Sequence, residues 1–151
     1  VIGPDHSPYG LSDKGRAELY GYADNTEVKR DPSRLIIWSG CIEDKNIVVD
    51  TPTYRLDIAP TLSNLFGTEY DSRMMVGRDV FSDQMPLVIW NNYSWKTDKG
   101  TYVASTGRFT PNEGVEVSAD YVENVKKIVS NKANFSKYIL DNNYFAKVYG
   151  K

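Results

Sequence analysis

Asp5 and His6 stand side by side in Gly3-Pro4-Asp5-His6-Ser7-Pro8-Tyr9-Gly10, and they are the pair in this chain best suited to hold a divalent cation. A carboxylate offers hard oxygen donors and an imidazole a nitrogen donor. Open α/β sheets present their ligands in loops at the carboxyl ends of parallel strands, where such a pair would serve. Neighbours in a regular strand point to opposite faces, so aiming both side chains at one ion needs the broken backbone that Gly3 and Pro4 supply. The same dipeptide also suits a turn in which Asp5 caps local N–H groups and His6 is a solvated or packing residue. Arg78, in Gly77-Arg78-Asp79, offers a guanidinium to an anion, although an Arg beside an Asp in a loop more readily ties that loop to its neighbours. Cys41 has no second histidine to activate it and reads as a buried or idle thiol. Eleven tyrosines and three tryptophans suit stacking on sugars or, more simply, packing.

These residues need elements to position them. Gly3 to Gly10 is a loop at a strand end, because two prolines and two glycines in eight residues forbid regular structure. Val1-Ile2 before it reads as the tail of a buried strand, and the absence of an initiator Met makes the chain read as a fragment of a longer protein. Ser12 or Asp13 caps an expected helix over 14–20. The apolar runs 35–38 and 47–49 predict strands, the first buried on both faces in a helix-covered sheet. Ile58, Leu62, Leu65 and Phe66 share a helical face, Pro60 falls in the first turn, and Gly67 supplies the stop. A third strand is expected over 87–90. Residues 93–96 and 101–104 flank Asp98-Lys99-Gly100 as a hairpin. Ser118 is the expected N-cap of a C-terminal helix with Val122, Val125, Ile128 and Val129 inward, extended or restarted by Phe135, Tyr138 and Ile139. The stretch 107–114 reads as a flexible loop.

Composition narrows the functions. Eighteen basic and 20 acidic residues give a net charge of −2, which disfavours a nucleic-acid backbone as partner. One cysteine and one histidine exclude an internal disulfide and zinc-finger spacing. No apolar run reaches the ~18 residues that span a bilayer.

The ordered segments Gly3 to Gly10, Leu35-Ile36-Ile37-Trp38, Leu56-Asp57-Ile58-Ala59-Pro60-Thr61-Leu62 and Gly77-Arg78-Asp79-Val80-Phe81-Ser82 resemble the C-terminal part of lipoteichoic acid synthase-like proteins. These belong to the sulfatase and alkaline phosphatase superfamily. The resemblance runs over most of residues 1–105, and the remainder is similar to a C-terminal extension of clostridial-type members. It implies an α/β fold, with residues 1–85 the C-terminal part of an alkaline phosphatase-like sheet sandwiched by helices. Residues 86–151 would form a small α+β subdomain with a hairpin and a C-terminal helix.

The resemblance further implies a membrane-anchored parent with an extracellular catalytic domain, a Thr nucleophile and a divalent metal, Mn²⁺ first and Mg²⁺ or Zn²⁺ as alternatives. Asp5 and His6 match the family's Asp-His ligand pair, although Pro4 stands where the family usually has Gly. The nucleophile and the other histidines of the family lie upstream of the residues present, so the chain would hold half a site, inactive alone, with the rest of its own catalytic domain as a partner. The expected activity is phosphoglycerol transfer from an anionic glycerophospholipid headgroup to a polyol-phosphate polymer. A sulfatase or phosphodiesterase of the same superfamily and a non-catalytic wall-polymer binding module are the alternatives.

Overall fold

The structure, a computed structural model, describes residues 1–5, 10–21, 33–41 and 46–150. The chain separates into two compact units, Val1–Val48 and Val49–Lys151. The boundary expected after residue 85 falls inside the second unit.

In the first unit, helix α1 (Asp13–Tyr20) starts as its sequence predicts, with Ser12 Oγ accepting the Gly15 N–H at 3.1 Å. It ends at Gly21, whose φ of 73° is the left-handed conformation that a helix stop uses. Ile2 and Ile36 form an isolated antiparallel bridge through reciprocal N–H···O bonds of 2.9 and 2.8 Å. The strand expected over 35–38 does not form. Its neighbour is residue 2 as anticipated, but the pairing is a single antiparallel bridge, not a strand at the end of a parallel sheet. Leu35, Ile36 and Trp38 are exposed, Trp38 by 81%, and 47–49 forms no strand. An apolar run takes its burial from layers packed on its faces. Helix α1, the one helix among the unit's described residues, buries none of its own side chains and supplies no such layer.

The second unit is mixed α/β. Helix α2 (Ile58–Leu65) follows a 3₁₀ turn over Arg55–Asp57, and Gly67 closes it at φ 62°. Strands β1 (Val88–Ile89), β2 (Trp95–Lys96), β3 (Gly100–Val103) and β4 (Arg108–Pro111) form an antiparallel meander in that order. The Asp98-Lys99-Gly100 hairpin is where its turn residues put it. The expected loop over 107–114 is partly strand, because β4 pairs along its whole length with β3.

Register places Ile89 opposite Trp95, Trp95 opposite Tyr102, and Tyr102 opposite Phe109, so one row of side chains crosses all four strands. Trp95 stacks on Tyr102 at 5.3 Å and meets Phe109 at 5.5 Å. Helix α3 (Tyr121–Ala133) covers this row with Val125 and Val129, both 2% exposed, and Tyr121 meets Trp95 edge-on. Cross-strand aromatic pairs of this kind add about 0.5–1.5 kcal/mol each beyond the area they bury. Helix α3 begins two residues later than the periodicity suggests. Ser118 spends its hydroxyl on the Asp120 carboxylate at 2.6 Å and caps no N–H. Helices α4 (Phe135–Asp141) and α5 (Tyr144–Tyr149) complete the unit.

Candidate functional site

The residues that the structure gathers most tightly come from 54–61 and 76–80. Asp57 is 2% exposed and accepts two backbone N–H groups, Arg78 at 2.9 Å on Oδ1 and Tyr54 at 3.1 Å on Oδ2. Thr61 works as a two-way link: its hydroxyl donates to the Asp57 carbonyl at 2.6 Å and accepts the Val80 N–H at 3.1 Å. Arg78 is 5% exposed, and its guanidinium donates to the carbonyls of Asp79 and Val80 and to Thr51 Oγ1. Gly77 permits this approach, since a Cβ there would stand 2.0 Å from the Leu56 carbonyl oxygen. Helix α2 turns the Asp57 and Thr61 oxygens toward the 77–80 loop because the two residues lie one helical turn apart.

A cavity of about 160 Å³ opens beside this junction, lined by Tyr54, Asp57, Val76, Arg78, Met85 and Lys132 among others. A second hollow of about 330 Å³ shares Tyr54, Val76 and Lys132 and adds Trp90 and Tyr93. The Lys132 ammonium donates to the Val76 carbonyl. Burial pushes its pKa down, opposed by the Asp57 charge. Burial raises the Asp57 carboxyl above its ordinary value, against the lowering effect of the Arg78 and Tyr54 N–H groups and of the Arg78 and Lys132 charges. The Tyr54 hydroxyl is pushed up to about 12 by burial and by the Asp57 charge.

Most of these groups are committed to one another, while the buried Arg78 Nε has no hydrogen-bond partner. Asp57 spends both oxygens on backbone donors, and three of the four Arg78 and Lys132 contacts with named oxygens are to main-chain carbonyls, so the arrangement fixes a loop against a helix. Arg78 therefore has the loop-tying role expected of it. Tyr54 and Lys132 were not legible as partners: Lys132 is one of several lysines on an amphipathic helix, and only the fold brings it to Val76.

Asp5 lies on a bend and is exposed, three residues beyond the Ile2–Ile36 bridge. His6 lies outside the described residues. Among the described residues no group of three or more His, Cys, Asp or Glu side chains is placed to hold a metal. Cys41 is exposed and not buried, on a turn where its N–H donates to Ser39 Oγ at 3.2 Å. Trp95 packs in the core, while Trp38 and Tyr93 stand exposed.

Comparison of the chain with protein-family models, with curated proteins and with solved structures gives no match in any of the three.

Proposed function

We propose that this chain is the C-terminal part of a metal-dependent phosphoglycerol transferase of the lipoteichoic acid synthase-like kind, with Asp5 and His6 as two ligands of a divalent cation. The observation that supports this reading is the junction between the motif segments 56–62 and 77–82. The residues that carry the resemblance, Asp57, Thr61, Gly77 and Arg78, are also those that lock the two segments together. In this reading the rest of the catalytic domain supplies the alkaline phosphatase-like sheet. The parent is then anchored in the membrane and works at its extracellular face on anionic glycerophospholipid headgroups and a polyol-phosphate polymer.

The donor chemistry of one carboxylate and one imidazole fits Mn²⁺ or Zn²⁺ better than Mg²⁺, which prefers oxygen ligands. A bound divalent cation neutralises phosphate oxygens and lowers the pKa of a hydroxyl nucleophile. In this reading the chain contributes Asp5 and His6, and the sequence Gly3-Pro4 before them disfavours the regular strand in which neighbouring side chains point to opposite faces.

The test is glycerol phosphate transfer from phosphatidylglycerol by the product of the complete reading frame. Activity should depend on a divalent cation and fall to background in Asp5→Ala and in His6→Ala. The 151-residue chain alone should be inactive and bind Mn²⁺ no tighter than about millimolar, since two ligands leave most of the coordination sphere to water. Hydrolysis of sulfate esters in place of transfer moves the assignment to a sulfatase. Metal-independent binding of the polymer by the isolated chain moves it to a wall-polymer module.

A further inference from the structure

The Asp57–Arg78 junction leaves hydrogen-bonding capacity unspent around the two hollows beside it, and that capacity is all donor. Asp57 gives both carboxylate oxygens to backbone N–H groups. Lys132, on α3, lines both hollows and spends one of its three ammonium hydrogens on the Val76 carbonyl. No carboxylate lies within ion-pair distance of it among the described residues. The hydroxyl of Tyr54, which also lines both hollows, has no acceptor among the described residues, and the buried Arg78 Nε–H has none either. Asp57 against Arg78 and Lys132 leaves one positive charge in excess at the site. The second hollow supplies a different chemistry. The half-buried Trp90 and the Tyr93 ring line it together with the apolar Leu56, Val76 and Ile89. Tyr93 is held at φ 64°, a left-handed conformation that bulky side chains avoid, by a turn in which its N–H donates to the Trp90 carbonyl at 3.0 Å.

We propose that the two hollows together bind a small aromatic monocarboxylate, its carboxylate on Lys132 and Tyr54 and its ring against Trp90 and Tyr93. Idle donors with no idle acceptor call for a ligand that only accepts, and a half-buried ammonium gains when an anion replaces the water it has lost. A monoanion matches the single excess charge, whereas a phosphate monoester brings a second negative charge close to Asp57. The apolar walls and the two rings favour a flat hydrocarbon body over a polyol. A polyol-phosphate polymer offers neither the ring nor the carboxylate, and the site shares no residue with Asp5 and His6. The inference is therefore independent of the metal site proposed above.

Titration of the ¹⁵N-labelled whole chain with phenylacetate, followed by NMR, tests it. The Trp90 indole and the Val76 and Ala133 amides should shift with a Kd of about millimolar, the affinity that so small a ligand can reach, with or without Mn²⁺. Phenylacetamide, which lacks the charge, and acetate, which lacks the ring, should each bind at least about tenfold more weakly. Phenyl phosphate should bind more weakly than phenylacetate. Lys132→Gln keeps a donor for the Val76 carbonyl and should weaken phenylacetate about tenfold, while Lys132→Arg keeps the charge and should recover most of that loss. Tyr54→Phe should weaken it about threefold. Unchanged Val125 and Val129 methyl shifts verify that each variant keeps its core. No shift at about 10 mM phenylacetate, equal binding of phenylacetamide, or indifference to Lys132→Gln overturns the proposal. So do shifts confined to the exposed Trp38, which would mean surface adsorption only, and tighter binding of phenyl phosphate or inorganic phosphate, which would make this a phosphate site.

Discussion

The Asp57 carboxylate holds the backbone N–H of Arg78 at 2.9 Å across twenty-one residues of sequence, and it does so at the point where Gly77 lies against the Leu56 carbonyl. The contact is made by main chain on one side and by a buried charge on the other. Its strength therefore depends on how closely the two backbones approach, and only a residue without a side chain permits that approach.

Gly77→Ala should accordingly destabilise the chain by about 3 kcal/mol or more, because the clash is with backbone that cannot swing aside. Gly114→Ala is the control: its φ of 72° is left-handed, but nothing lies within 4 Å of an added Cβ. Its cost should be about 1 kcal/mol, the conformational penalty alone. Urea unfolding of both variants measures the difference, and equal losses would sink the close-approach account.

Thr61→Val keeps the shape of the side chain and removes both hydrogen bonds. It leaves the Val80 N–H without its partner, at a cost of about 1–3 kcal/mol. Thr61→Ser should retain most of the stability because the hydroxyl survives. A valine variant as stable as the serine variant would show that the hydroxyl link contributes nothing.

Asp57 makes stability pH-dependent in a stated direction. Its folded pKa lies above the ordinary 3.8, so the native state binds the proton more tightly than the unfolded chain does. The ionised carboxyl thus subtracts stability above its folded pKa, and that loss is relieved as pH falls through the folded value toward 3.8. Asp57→Asn should remove this slope. It should also cost about 1–3 kcal/mol at neutral pH, since one of the two N–H donors then faces an amide NH₂. Denaturation midpoints compared across mildly acidic pH check this: a gap between wild type and variant that does not widen on acidification contradicts the raised pKa.

Tyr54 predicts a second window at alkaline pH. With its folded pKa near 12 against 10.0 in an unperturbed tyrosine, the native state keeps the proton after the unfolded chain has lost it. Stability falls as pH rises through that interval. Tyr54→Phe should lose less stability than wild type between these values, and parallel curves would mean that Tyr54 titrates normally.

Several elements were legible because their signals are local. The Ser12 cap, the Gly67 stop and the Asp98-Lys99-Gly100 turn each act within a few residues, so neighbouring side chains decide them. The inward stripe of α3 is likewise a matter of helical spacing, and Val125 and Val129 fall on the buried side, whereas Ile128, expected inward with them, is 38% exposed. The start of α3 escaped the same reasoning, because Ser118 bonds to the Asp120 side chain when it could have capped an N–H. Between two such alternatives the sequence offers no preference.

Determined by sequence alone were the apolar character of 35–38, the first three strands and the hairpin turn of the meander, and the loop-tying role of Arg78, all of them consequences of residue type and short spacing. Tertiary structure alone decided that 35–38 lies exposed with one antiparallel bridge, that 107–114 contains β4, and that Lys132 reaches Val76 from a helix more than fifty residues away. Burial and long-range hydrogen bonds are properties of two surfaces together, and a sequence read one segment at a time shows only one of them.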